Sequence, residues 1–133
     1  MRAEYVLRDR LLQTPELVNL VGGRFMPPPR PQTGSGAALP AVVYQRVSPG
    51  PMFSEHTGPS LFAMPRVQFS CFARTEAEAW AVATLARQAL DGWSDRTATP
   101  RIDGVTCEEP LDTYENDTQV YHVYFDAIVR FGR

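Results

Sequence analysis

The sequence predicts an α+β domain: an antiparallel sheet with a helix packed across one face, an N-terminal helix, and a long loop between strands 2 and 3. Three patterns predict it. Residues 66–74 (RVQFSCFAR) and 118–131 (TQVYHVYFDAIVRF) alternate apolar and polar side chains with the period of two that a strand requires. Residues 75–93 (TEAEAWAVATLARQALDGW) repeat apolar side chains at the period of a helix with one buried face. No turn cluster separates this helix from the strand before it, so it should fold back across the sheet.

The chain opens on a helix over residues 2–13. Ala3, Val6, Leu7 and Leu11 make one apolar stripe, and Arg2, Glu4, Arg8 and Asp9 are expected on the solvent side. Thr14-Pro15-Glu16 restarts a short helix, with Thr14 as N-cap, Pro15 at the first helical position and Glu16 near the positive end of the dipole. Gly22-Gly23 ends it. Residues 24–39 hold too many Pro, Gly and Ser residues for a regular element beyond a few strand residues at the start, and 27–39 is expected to be an exposed loop.

From Leu39, LPAVVYQRV reads as a strand in which Val43, Gln45 and Val47 alternate with Val42, Tyr44 and Arg46. The next strand places Val67, Phe69, Cys71 and Ala73 on a core side and Arg66, Gln68, Ser70 and Arg74 on a wet side. Thr75 and Glu78 have capping-box spacing. Behind them Ala79, Val82, Leu85, Ala86, Ala89 and Leu90 form the face that should cover Val67, Phe69, Val123, Phe125 and Val129. So many alanines imply a close approach of helix to sheet, and Gly92 is the expected C-cap. Residues 101–110 read as a further strand. In 118–131, Tyr121, Val123, Phe125, Ala127, Val129 and Phe131 alternate with His122, Tyr124, Asp126, Ile128 and Arg130, a long central strand of roughly 40 Å. Tyr124 and Ile128 make its second face mixed, which suits contact with a neighbouring subunit.

Composition narrows the function. A chain of 133 residues with 44% hydrophobic content suits one domain over residues 1–133 with one modest core. No run of about 18 apolar residues is present to span a bilayer, and MRAEYVLRDRLL lacks the unbroken apolar stretch of a signal peptide. No membrane partner is expected, and a cytoplasm is the expected location. Every basic side chain is Arg, yet net charge is −2, so a phosphate-gripping surface is disfavoured. Cys71 and Cys107 stand far apart, outside any CxxC spacing, and read as reduced, buried thiols.

The residues offer little chemistry. His56 and His122 fit neither HExxH nor a His/Cys ligand spacing, so no metal and no cofactor is expected. A nucleophile at Cys71 or Ser70 would need His122 brought alongside by the fold. Glu108-Glu109 should point to opposite faces, and Glu115-Asn116-Asp117 reads as a hairpin turn, so these are solvated acids rather than catalytic carboxylates or calcium ligands. Gly22, Gly23, Gly34 and Gly36 follow no phosphate-loop spacing. No catalytic residue is assigned.

What remains is the linker 49–64 (PGPMFSEHTGPSLFAM), far longer than a hairpin needs. Met52, Phe53, Leu61, Phe62 and Met64 are costly to leave in water, while the surrounding prolines and glycines prevent a compact local core. They either fold back on their own domain or pack on another one.

The N-terminal helix, PELVNLVGGR, the Pro-rich loop, LPAVVYQRV, and RVQFSCFARTEAEAWAVATLARQALDG taken together resemble the tail completion family of long-tailed bacteriophages and gene transfer agents. The resemblance covers nearly the whole chain. It implies an α+β subunit of a ring, commonly hexameric, that caps the head-proximal end of the tail tube, stops tube growth and presents a surface to the head connector. It implies no enzymatic activity. The expected partners are further copies of this chain, the tail tube protein and the head–tail connector protein, with DNA passing through the lumen without specific binding. On this reading 49–64 is an arm whose Met52, Phe53, Leu61, Phe62 and Met64, with Tyr124 and Ile128, meet a neighbour, and 27–38 is a second candidate arm. Two alternatives stand beside it: a head-closure or tube-adaptor ring, and a small cytoplasmic ligand-binding or enzyme domain with a site at Tyr44, His122, Asp126 and Arg130.

Overall fold

A computed structural model describes residues 3–27, 39–48, 65–98, 101–115 and 120–132. Helices α1 (Ala3–Leu12), α2 (Pro15–Val21) and α3 (Glu76–Leu90) are joined to strands β1 (Phe25–Met26), β2 (Ala41–Ser48), β3 (Arg66–Ala73), β4 (Arg101–Cys107), β5 (Leu111–Glu115) and β6 (Val120–Gly132) in the chain order α1-α2-β1-β2-β3-α3-β4-β5-β6. The sheet runs β1-β2-β3-β6-β4, with β5 also paired to β6. It is antiparallel except at one margin, where β1 lies parallel to β2 through Phe25–Val42 and Met26–Val43. The antiparallel sheet that the sequence pattern predicts is present, with this one parallel contact added. The parallel contact arises because β1 follows the left-handed glycines Gly22 (φ 65°) and Gly23 (φ 82°), which send the chain out of α2 directly along β2.

Strand β6 is central, as its alternation predicts. One edge pairs with β3 from Tyr121 to Ile128. The other carries two strands end to end, β5 against Val120–Tyr124 and β4 against Ala127–Gly132. The expected strand 101–110 therefore stops at Cys107. Glu108-Glu109-Pro110 breaks it, since Pro110 has no N–H to donate. Beyond the break, β5 has no apolar face of its own, and period alone does not reveal it.

All three helices lie on one face. Val67, Phe69, Cys71, Ala73, Val123, Phe125, Ala127 and Val129 point into a single core with Leu7, Leu11, Leu17 and Val21 of α1 and α2. Helix α3 adds Ala79, Val82, Ala83, Ala86 and Leu90, all buried. Phe69 and Phe125 stack at 5.5 Å between ring centroids beneath it. The Thr75 hydroxyl accepts from the Glu78 N–H at 3.2 Å, the hydroxyl half of the capping box. At the other end the C-cap is Asp91 rather than Gly92, and Gly92 follows with φ 82°.

Two expectations about exposure are corrected. Glu4 is only 3% exposed, because Arg46, on the helix side of β2, donates to its carboxylate at 3.0 Å. A charge can enter a core when a partner and hydrogen bonds come with it. The second side of β3 is also not simply wet. Phe72 is buried there with Val43 and Val120, and Met26 and Leu39 pack against the three.

The close seat of α3 makes a contrast testable. Ala86→Leu, buried under the helix, should destabilise by about 1–3 kcal/mol through overpacking. Ala81→Leu, on the exposed side of the same helix, should change stability by no more than about 0.5 kcal/mol. Urea unfolding followed by circular dichroism reads both, and equal effects would show that α3 does not approach the sheet closely.

Candidate functional site

With the helices gathered on one side, the opposite face of the sheet carries half-buried and polar residues beside the buried Val43, Phe72 and Val120. Register assigns its residues. Ser70 stands opposite Tyr124, Gln68 opposite Asp126, Arg66 opposite Ile128 and Phe72 opposite His122. On the far edge of β6, Leu111 stands opposite Tyr124 and Thr106 opposite Ile128. Tyr124 and Ile128 are thus half-buried on one face, as the alternation predicts. Met52, Phe53, Leu61, Phe62 and Met64, with the rest of 49–64, lie outside the described residues, as do 28–38 and the turn 116–119.

A charged cluster unforeseen in the sequence sits among these residues. Arg66 donates to Glu108 and, at 3.0 Å, to Asp126, while the Gln68 amide reaches the same carboxylate at 3.4 Å. The Asp126 hydrogen bond foremost, and then Glu108, hold Arg66 above its ordinary pKa. Glu109 faces the other side of the sheet and pairs with Arg87 of α3 at 3.5 Å. The expected divergence of Glu108 and Glu109 is therefore present, with each acid against an arginine. Only the strand register brings Arg66 and Asp126 together, so sequence offered no signal for the cluster.

Of the two candidate nucleophiles, Ser70 shares a face with His122, standing opposite Tyr124, and Cys71 does not. Cys71 points into the core and His122 to the opposite face. His122 is a half-buried ring stacked on Phe72 at 4.4 Å and tilted against Tyr124 at 5.1 Å, rather than a solvated imidazole. The alternative site of Tyr44, His122, Asp126 and Arg130 is likewise divided: Tyr44 is buried on the helix side, where its hydroxyl accepts from Arg8 at 3.2 Å, while the other three lie on the far face. Arg130 instead lies over Gly104, where an added Cβ would meet its guanidinium 2.4 Å away. Among the described residues no group of His, Cys, Asp or Glu is placed to hold a metal.

The sheet margins are the feature that sequence reading misses. The outer side of β4 is closed by the chain following α3: Asp95 and Ile102 exchange both backbone hydrogen bonds at 2.9 Å, and the Gly92 N–H donates to Val105 at 2.8 Å. No described residue closes β5 in this way. Leu111 is 58% and Tyr114 45% exposed, the highest values among the large hydrophobic side chains described. The Pro110 break, with Leu111 and Tyr114 beyond it, is the signal that could have pointed there.

A family model described as "Tail completion protein gp17" matches residues 6–132. The fold is similar to that of a chain in the solved "Virion of native gene transfer agent (GTA) particle", with a TM-score of 0.70 at 15% identity over 96% of this chain and 92% of that one. No curated protein matches the sequence.

The thiols provide a pH test of the core. Burial pushes Cys71 from 9.0 up to about 12, and burial, then the nearby Asp91 carboxylate, does the same for Cys107. Below pH 9 both thiols keep their protons whether the chain is folded or not. Between pH 9 and about 12 only the unfolded chain releases them, so stability should fall as pH rises through this window. The urea midpoint should drop there, and drop less in Cys71→Ala. Iodoacetamide at pH 9 should label the folded protein far more slowly than the unfolded one, and equal labelling rates would contradict the burial.

Proposed function

The chain belongs to the tail completion protein gp17 family, and from that premise we propose that it forms a hexameric ring that caps the head-proximal end of a tail tube, stops tube growth and joins the tail to the head connector. As a family member it is a structural component of a phage-type tail in a virion or virion-like particle, works among other tail or head proteins, and is not an enzyme. The observation that supports the ring reading is the family match, which runs from α1 to the end of β6.

The assignment suits the surfaces. A ring built from one polypeptide needs two different patches per subunit that meet head to tail. The helix-free face, with Tyr124 and Ile128, supplies mixed apolar and polar surface, and the arm 49–64, with Met52, Phe53, Leu61, Phe62 and Met64, supplies anchors that can reach a neighbouring copy, the tube protein or the connector. Net charge is −2, and Arg66 is tied to Glu108 and Asp126, so DNA can traverse the lumen without being held by phosphate contacts.

Removing the protein from the producing strain should yield filled heads and separate tails, or tubes of uncontrolled length, by negative-stain electron microscopy. Normal particles from that strain would end the assignment. Phe53→Ser with Phe62→Ser should leave the monomer folded, because the strands and the capped helix α3 that make the described core are built from other residues. Each lost aromatic anchor typically costs an interface about 2 kcal/mol, so the variant should fail in ring formation or docking. Unimpaired assembly would exclude the arm as the contact.

A further inference from the structure

We propose that the ring closes by strand addition: the free edge of β5 in one subunit pairs antiparallel with the uncovered part of β2 in the next, making one continuous sheet around the ring. This rests on the ring reading above and specifies its contact.

The sheet has two different open margins. At one, β1 covers β2 only at Val42 and Val43, so Tyr44–Ser48 has no described strand beside it. At the other, β5 offers Leu111–Glu115. With Thr113 opposite Gln45, four residues of each stretch pair, Leu111–Tyr114 with Tyr44–Val47, and pairing stops there because Glu115 would fall opposite Val43, which Met26 already pairs. Unpaired strand edges are ready templates for another strand, and proteins that remain monomeric cover or blunt them. Here β4 is covered by the chain after α3, whereas no described residue covers β5.

Direction agrees. From β2 through β3 and β6 to β5 every contact is antiparallel, so β5 runs opposite to β2. A neighbour related by rotation about an axis along the strands therefore meets β2 with β5 antiparallel, and the alternation continues without a break. Repeating such a head-to-tail contact makes a ring rather than a two-fold dimer.

Register agrees as well. Setting Thr113 opposite Gln45 puts two exposed polar residues together on the helix-free face, since Gln45 pairs with Gln68 and Thr113 with His122. The same register puts Asp112 opposite Arg46 and Tyr114 opposite Tyr44. All four lie on the helix side, where Asp112 accepts from the Trp80 indole at 3.4 Å and Tyr114 rests on Tyr121 at 4.6 Å. It also brings Leu111, 58% exposed, to Val47, 40% exposed. Opposite charges and paired aromatics across strands are favourable. Only this last pair falls at the register irregularity between Arg46 and Ser48. Self-pairing of β5 about Thr113 would instead set Leu111 against Glu115 and Asp112 against Tyr114, with no opposite charge.

The test uses the full chain carrying Gln45→Cys and Thr113→Cys, treated with a short bis-maleimide. Cys71 and Cys107 are buried, so the parent protein should give no product. The double variant should give a ladder of covalent oligomers on a denaturing gel, and a mixture of the two single variants should give a dimer only. A dimer from Thr113→Cys alone would overturn the proposal in favour of self-pairing. Light scattering that reads a ring with no ladder would overturn the strand contact and leave the ring reading intact. No ladder together with a monomer at every concentration, and on purified tail tubes, would overturn both.

Discussion

Everything in this fold depends on how closely α3 can lie on the Phe69–Phe125 stack. The helix buries Ala79, Ala83 and Ala86 beside Val82 and Leu90, and the small alanine side chains let its backbone approach the two aromatic rings. That contact holds β3 and β6 side by side; β2 attaches to β3, β4 and β5 attach to β6, and β1 joins through β2. Helices α1 and α2 then close the margins of the same core, with Arg10 donating to the Ala89 carbonyl at 3.1 Å and lying over the Trp93 ring at 5.4 Å.

A second constraint follows at the end of α3, where the polypeptide must return to the sheet as a broken strand. Pro110 and the residues before it interrupt pairing with β6, and the carbonyls at the break need donors. Arg87, in the last turn of α3, donates to Cys107 at 3.3 Å and to Glu108 at 3.1 Å, while the Asp91 carboxylate accepts from the Cys107 N–H at 2.9 Å. Such satisfaction matters because a buried backbone group without a partner costs about 1–3 kcal/mol. The break is thus stitched to the helix from both donor and acceptor sides. As a result β4 is tied to the core, and β5 lies beyond the break with no described residue along its outer edge.

Local periodicity carried most of this to the sequence reader. The stripe Ala3-Val6-Leu7-Leu11, the capped helix and the alternation in β3 and β6 each concern residues whose neighbours lie within one turn or one strand, and all appear in the structure where period places them. The misses share a cause: each depends on a partner distant in sequence. Glu4 is buried because Arg46 reaches it across 42 residues, and Phe72 is buried because Val43 and Val120 come to the same face. Strand β5 exists because β6 offers it an edge. The candidate surface was legible to the same extent. The face shared by Tyr124 and Ile128 follows from alternation alone, whereas the Arg66–Asp126–Glu108 cluster and the open margins need the register and the strand order.

Strand order also explains why one sheet can serve both a stable subunit and an assembly. A sheet covered on one face has its apolar burial settled there, and its second face and its edges are left to set contacts between molecules. Edges are specific in a way that faces are not, because backbone hydrogen bonds fix direction and register together, and a slip of one residue would turn every side chain to the wrong side. In this chain the two margins differ in length of cover, in charge and in direction, so they complement each other better than either complements itself. That asymmetry favours a head-to-tail contact over a two-fold one, and closure then depends on the twist that β2, β3, β6 and β5 accumulate between one open edge and the other.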